Sequence, residues 1–120
     1  MAEGAKRFGN LPRFSSIVVH DNTVYLAGQV SQLVDGDITA QSEDVFAKID
    51  ALLDEAGCSR GSIISAQIWL ADMDDYAAMN EAWDKWLDGR AKPVRVCVEA
   101  RMAKPHYKIE VLAIAILNDA

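Results

Sequence analysis

The sequence predicts an α/β fold of the α+β kind, with a single mixed β-sheet and two helices packed on one face. Two observations carry this. The periodicity runs strand, strand, helix, strand, helix, strand, strand. The chain is 120 residues long, half hydrophobic and a quarter charged, which suits one domain spanning 1–120 that needs no disulfide or metal staple. Each strand–helix–strand passage favours a parallel pair joined by a right-handed crossover. Two helices on one face of one sheet is then the economical arrangement.

Residues 1–12 are unpatterned, and Gly4, Gly9 and Pro12 predict an irregular arm. Residues 14–20 and 23–27 read as strands joined at Asp21-Asn22, a two-residue turn signal. Gly28-Gln29 follows, where a backbone comes close to something. Asp35-Gly36 marks the tip of a polar loop over 31–38. Thr39 is placed to cap a helix over 40–56, with Glu43 and Asp44 near its positive end. Val45, Phe46, Ile49, Leu52, Leu53 and Ala56 make its apolar stripe, and Gly57 stops it.

Residues 63–71 form a strand with Ile64, Ala66, Ile68 and Leu70 on one face and Ile63, Ser65, Gln67 and Trp69 on the other. Asp72 or Asp74 caps a second helix over 75–88, whose stripe is Tyr76, Met79, Trp83, Trp86 and Leu87. Two strands close the chain, Pro93–Glu99 and Lys108–Ile116. If residues 102–107 are a hairpin turn, Arg95 and Glu110 fall opposite each other. Two helices leave one sheet face uncovered, carrying Ile63, Trp69 and one row of the Pro93–Glu99 strand. Self-association through that face, with sites between subunits, is the remedy this predicts.

Several function classes are disfavoured. A net charge of −6 does not attract nucleic acid or anionic membrane. No apolar run approaches the ~18 residues of a membrane span, and none resembles a signal peptide. The two cysteines, Cys58 and Cys97, form no disulfide framework and have no ligand at zinc spacing, so no metal and a reducing cytoplasm are expected. Neither a phosphate-binding glycine loop nor a Ser-His-Asp order is present.

The candidate chemistry lies in the last two strands. Arg95 between valines is either a fork for a substrate carboxylate or one half of a structural ion pair with Glu99, Glu110 or a neighbouring subunit. Glu110, between Ile109 and Val111, is either that partner or a carboxylate that activates water. Cys97 shares a strand face with Arg95 but has no base close in sequence, so a lining role competes with a nucleophilic one. Asn80 reads as an exposed helical residue, His20 as a surface residue, and the tryptophans as core.

These residues also carry a resemblance. Pro93-Val-Arg95-Val-Cys97-Val-Glu99, Lys104-Pro105 and Lys108-Ile-Glu110-Val resemble the C-terminal signature of the reactive intermediate deaminases, the Rid or YjgF-type family. Leu26-Ala-Gly28-Gln29, the helix end at Asp50–Gly57, and Asp75-Tyr-Ala-Ala-Met-Asn80 fit upstream in order. Met79–Trp86 and Pro105-His-Tyr-Lys108 are similar to the YoaB-like branch. The likeness covers residues 14–117.

The resemblance implies a chorismate-mutase-like homotrimer with clefts between subunits. It implies cofactor-free hydrolysis of small imino and enamino acids, such as 2-aminoacrylate and 2-iminopropanoate or 2-iminobutanoate, to a 2-keto acid and ammonia. By resemblance, Arg95 holds the substrate carboxylate and Glu110 orients or activates water. Main-chain groups near Cys97 contact the substrate, and Gly28 and Asn80 shape the cleft. Phe14 stands where the family has a pocket tyrosine and Ala27 where it often has a serine, which leaves this cleft more apolar. A non-catalytic carboxylate sensor using the same cleft is the rival reading.

Overall fold

The structure, a computed structural model, describes residues 4–117. Its elements are β1 (Lys6–Asn10), β2 (Ser15–His20), β3 (Thr23–Leu26), β4 (Gln29–Val30), α1 (Ile38–Ala56), β5 (Ile63–Leu70), α2 (Tyr76–Trp86), β6 (Val94–Glu99) and β7 (Ile109–Ile116). They form one mixed sheet in the order β1-β2-β3-β7-β5-β6, with β4 also paired to β7. The expected architecture holds. Ile17, Val24, Ala66, Ile68, Leu70, Val111 and Ala113 are buried on the helix side, against Val45, Phe46, Ile49, Leu53, Met79 and Trp83. Among the described residues, no helix is long and apolar enough to cross a membrane.

The other sheet face is open. Val94, Val96 and Val98 are 72%, 48% and 44% exposed, which decides which row of β6 faces outward. Tyr25 and Ile64 are also exposed. This is the apolar face the sequence left uncovered.

The expected hairpin between the last two strands does not form. β5 lies between them, parallel to β6 and antiparallel to β7. Arg95 is in register with Ala66, which pairs Ala113, whereas Glu110 pairs Trp69, which is in register with Val98. The physical reason lies in the two sequences. β7 is apolar at nearly every position over eight residues and suits the middle of a sheet. β6 has six residues, two of them charged, and suits an edge.

The N-terminal arm is also corrected. Lys6–Asn10 is an edge strand antiparallel to β2, and only residues 1–3 of the arm lie outside the described residues. Gly9 does not break it. The register runs from Phe8↔Ile17 to Asn10↔Ser15, and Gly9 between them adopts φ +66°. A Cβ there would collide with the Ser16 side chain, so glycine supplies a bulge. Leu11 N–H then donates to Phe14 O at 3.0 Å across the turn that holds Pro12.

Helix boundaries shift as well. Asp37, not Thr39, caps α1, accepting from Ala40 N–H at 2.8 Å. Glu43 and Asp44 therefore fall beyond the first turn, and Asp44 instead accepts from Ser31 Oγ at 2.7 Å. Gly57 ends the helix at φ +84°, as its position predicts. Asp72 caps a single 3₁₀ turn, Met73–Asp75, and α2 proper stops at Trp86, where Lys92 Nζ donates to Leu87 O at 2.9 Å. In β5 a register shift between Ile63 and Ser65 buries Ile63 and exposes Ile64, the reverse of strict alternation.

Candidate active site

The residues singled out by sequence fall into two groups on opposite faces of the sheet. Arg95, Cys97 and Asn80 meet on the helix side of edge strand β6. Arg95 is in register with buried Ala66 and Cys97 with buried Ile68, so both point toward the helices. Arg95 Nη1 donates to Asn80 Oδ1 at 2.8 Å and Nη2 donates to Tyr76 Oη at 3.0 Å. Its guanidinium lies 5.0 Å from the Trp83 ring centroid and 5.7 Å from that of Tyr76. Tyr76, Asn80 and Trp83 stand at i, i+4 and i+7, one face of α2.

Every one of these acceptors is neutral. Among the described residues, no carboxylate lies within ion-pair distance of Arg95. Glu99, one candidate partner, accepts from Met73 N–H at 3.0 Å instead. The fork keeps its full charge and most of its five donors. Burial pushes the Cys97 thiol up, and the neighbouring Arg95 charge offsets that in part. A thiol held protonated is a lining group and not a ready nucleophile. His106 does not come to its aid: it packs on the Tyr107 ring at 4.6 Å, and its Nε2 is buried with no hydrogen-bond partner among the described residues.

The second group surrounds Glu110. Phe14, Ser15, Ala27, Gly28 and Glu110 line a cavity of about 390 Å³. β4 runs beside β7 here, pairing Gln29 with Val111 and Val30 with Glu110. A Cβ on Gly28 would strike the Glu110 carboxylate, so the absent side chain is what gives that carboxylate its place. Among the described residues Glu110 has no ion-pair partner. Phe14 is 56% exposed at the cavity mouth, and neither it nor Ala27 brings a hydroxyl.

The opposed Arg95–Glu110 pair suggested by the sequence is therefore absent within one chain. Arg95 with Asn80 and Cys97 makes one candidate half-site. Phe14, Gly28 and Glu110 make the other. Sequence reading missed Tyr76 and Trp83 as partners of Arg95, because both sit in a stripe that reads as core. Their signal was the polar Asn80 within that stripe. It also missed the pair formed by Asp50 and Arg90, with Arg90 Nη1 donating to Asp50 Oδ1 at 2.9 Å and Nη2 to Oδ2 at 3.2 Å.

Comparison with known proteins bears on the chain as a whole. The family model described as endoribonuclease L-PSP matches residues 4–117. A RutC family protein of Haemophilus influenzae is 44% identical over 104 residues, covering 86% of this chain and 90% of its own. The RutC family protein YoaB of Escherichia coli is 43% identical over 103 residues, with the same coverage. The crystal structure of a YjgF family member from Neisseria meningitidis, 39% identical, superposes with a TM-score of 0.89 over 98% of both chains.

Proposed function

The chain belongs to the YjgF/RidA family, and from that premise we propose that it hydrolyses reactive imino and enamino acids to a 2-keto acid and ammonia. The substrates are of the 2-aminoacrylate and 2-iminopropanoate type. The observation that carries the reading is the state of Arg95. Its guanidinium is held by Asn80 and Tyr76, both neutral, and so remains charged and able to take a substrate carboxylate bidentately.

The chemistry asks little of the protein. The carbon of a protonated imine is already electrophilic, so holding it beside a water accounts for much of the rate. Glu110 accepts a proton from water as the water oxygen bonds to that carbon. The carbon–nitrogen bond of the resulting carbinolamine then breaks. Glu110 returns the proton to nitrogen, which leaves as ammonia, and the hydroxyl proton passes to the Glu110 carboxylate and on to ammonia as the carbonyl forms. An enamine first takes a proton on its terminal carbon to give the same imine. Only water is consumed, and no cofactor is called for.

The two half-sites lie on opposite faces of one sheet, so the reading needs a second copy. We propose a homotrimer that covers the exposed valine row of β6 and brings Arg95 of one subunit to Glu110 of the next. Variants R95A and E110Q test both points. Iminopropanoate is generated in place by an amino-acid oxidase, and its loss is followed with semicarbazide as competitor. Each variant alone is expected to be inactive. Refolded together they should regain about a quarter of wild-type activity, because random assembly restores one boundary in four. Inactive wild type would sink the deaminase reading, and inactive mixtures the shared site. The sensor reading draws on Phe14 and Ala27, which leave the Glu110 cavity without their hydroxyls. It predicts Arg95-dependent binding of keto acids in calorimetry with no turnover.

A further inference from the structure

Glu110 faces two cavities, and the mechanism above uses only one. The second, an open recess of about 210 Å³, is lined by Trp69, Glu110 and the loop 100–103. It adjoins a cavity of about 430 Å³ that shares Ala100, Arg101, Met102 and Ala103 with it and adds Lys104. Neither cation is engaged by another of the described residues. Arg101 is exposed, and among the described residues its side chain makes no hydrogen bond, ion pair or ring contact; the same holds for Lys104. Arg60, Arg90 and Arg95 have partners, whereas Arg7 and Arg13 are also without one among the described residues but line neither cavity. Two unpaired cations thus line a recess that begins at the candidate water-activating carboxylate, in a chain of net charge −6.

A substrate whose reacting carbon lies at Glu110 can send its side chain either way. Toward Phe14 and Ala27 it meets apolar surface and no cation. Toward the 100–104 loop it meets a free guanidinium with an ammonium behind it. A short aliphatic side chain gains nothing from the second direction. A side chain ending in a carboxylate gains a charge-assisted pair there.

We infer that Arg101, with Lys104 behind it, is a specificity-determining residue that receives the distal carboxylate of a 2-imino dicarboxylic acid, the α-carboxylate being held by Arg95 of the neighbouring copy. The inference rests on the deaminase reading for its substrate and adds to it a class, imino acids formed by oxidation of acidic amino acids.

The test compares two imino acids made in place, one from D-alanine and one from D-glutamate, each by the oxidase suited to it. With wild type, kcat/KM for the dicarboxylic substrate should exceed that for the monocarboxylic one by about tenfold. R101Q should abolish that ratio, R101K should restore part of it, and K104Q should reduce it less. A wild-type ratio near one overturns the assignment. So does an R101Q protein that loses both substrates in equal measure, since Arg101 would then be the primary clamp or a structural residue. Calorimetry with 2-oxoglutarate and pyruvate reads the recess without turnover. Tighter binding of the dicarboxylate that disappears in R101Q upholds the assignment even where neither imino acid is turned over, an outcome that removes the deaminase reading alone. Equal affinities remove Arg101 alone.

Discussion

Two arginines of this chain lie over tryptophan rings, and they are used in opposite ways. The Arg90 guanidinium is 5.7 Å from the Trp86 ring centroid and forms a two-pronged pair with Asp50. Asp50 is 8% exposed and also accepts from Trp86 Nε1 at 3.2 Å. The Arg95 guanidinium is 5.0 Å from Trp83 and is held by an amide oxygen and a phenol. The first arginine is neutralised and ties α1 to the chain that follows α2. The second is oriented without being neutralised. A protein that needed Arg95 only for packing would lose little by giving it a carboxylate. Orientation by neutral groups leaves the charge available to a ligand, as the proposed function requires.

Substitutions at the two sites should separate cleanly. The largest effect expected is on catalysis. Arg95→Met should lower kcat/KM for iminopropanoate by roughly 10³-fold, about 4 kcal/mol of transition-state binding, while leaving the melting temperature within a degree or two. Asp50→Asn does the reverse. It leaves a half-buried guanidinium without its counter-charge and puts a neutral amide in the buried position that Asp50 occupied, and should destabilise by about 2 kcal/mol, or roughly 8 °C in Tm, in thermal or denaturant unfolding. A large Tm loss in the Arg95 variant would make that arginine structural too, and the contrast would fail.

Next in size is Tyr76→Phe, which keeps the ring beside Arg95 and removes only the acceptor. About 1 kcal/mol is expected, read as a roughly fivefold rise in KM with kcat little changed. An equal fall in kcat with KM constant would place the phenol at the reacting atoms instead. Tyr76 is also the clearest case of what sequence could not give. At helical spacing with Met79 and Trp83 it reads as core, and only the packing of β6 under α2 turns its edge toward Arg95. The helices, the helix-terminating Gly57, the hairpin at Asp21-Asn22 and the open apolar face were legible, because each depends on local periodicity or on a glycine. The order of the last strands was not. Short connections favour neighbouring strands, and only the apolar length of β7 and the charges on β6 argue for β5 between them. That one insertion carries Arg95 and Glu110 to opposite faces, so the site's division followed from topology and not from any residue's identity. Gly9 erred in the other direction, since a glycine that looked like a breaker serves a bulge.

The smallest effect tests whether the charge on Arg95 is felt by its surroundings. Burial pushes both thiols up; Cys97 is partly relieved by the Arg95 charge, and Cys58 by a hydrogen bond from Ser62. Thiolate is the species that alkylates, and a nearby cation favours it. Removing the cation raises the Cys97 pKa further and lowers its thiolate fraction at any pH below that value. Iodoacetamide labelling followed by peptide mass spectrometry should therefore find Cys97 roughly threefold slower in Arg95→Met at pH 8, with its rate profile moved to higher pH. Cys58 should label at its wild-type rate and so controls for a general change in opening. High salt should narrow the difference in part, since Cys97 is only half buried. An unchanged Cys97 rate would mean that the Arg95 charge is already cancelled by a neighbour, which is the condition of Arg90, and the two arginines would then no longer differ in kind.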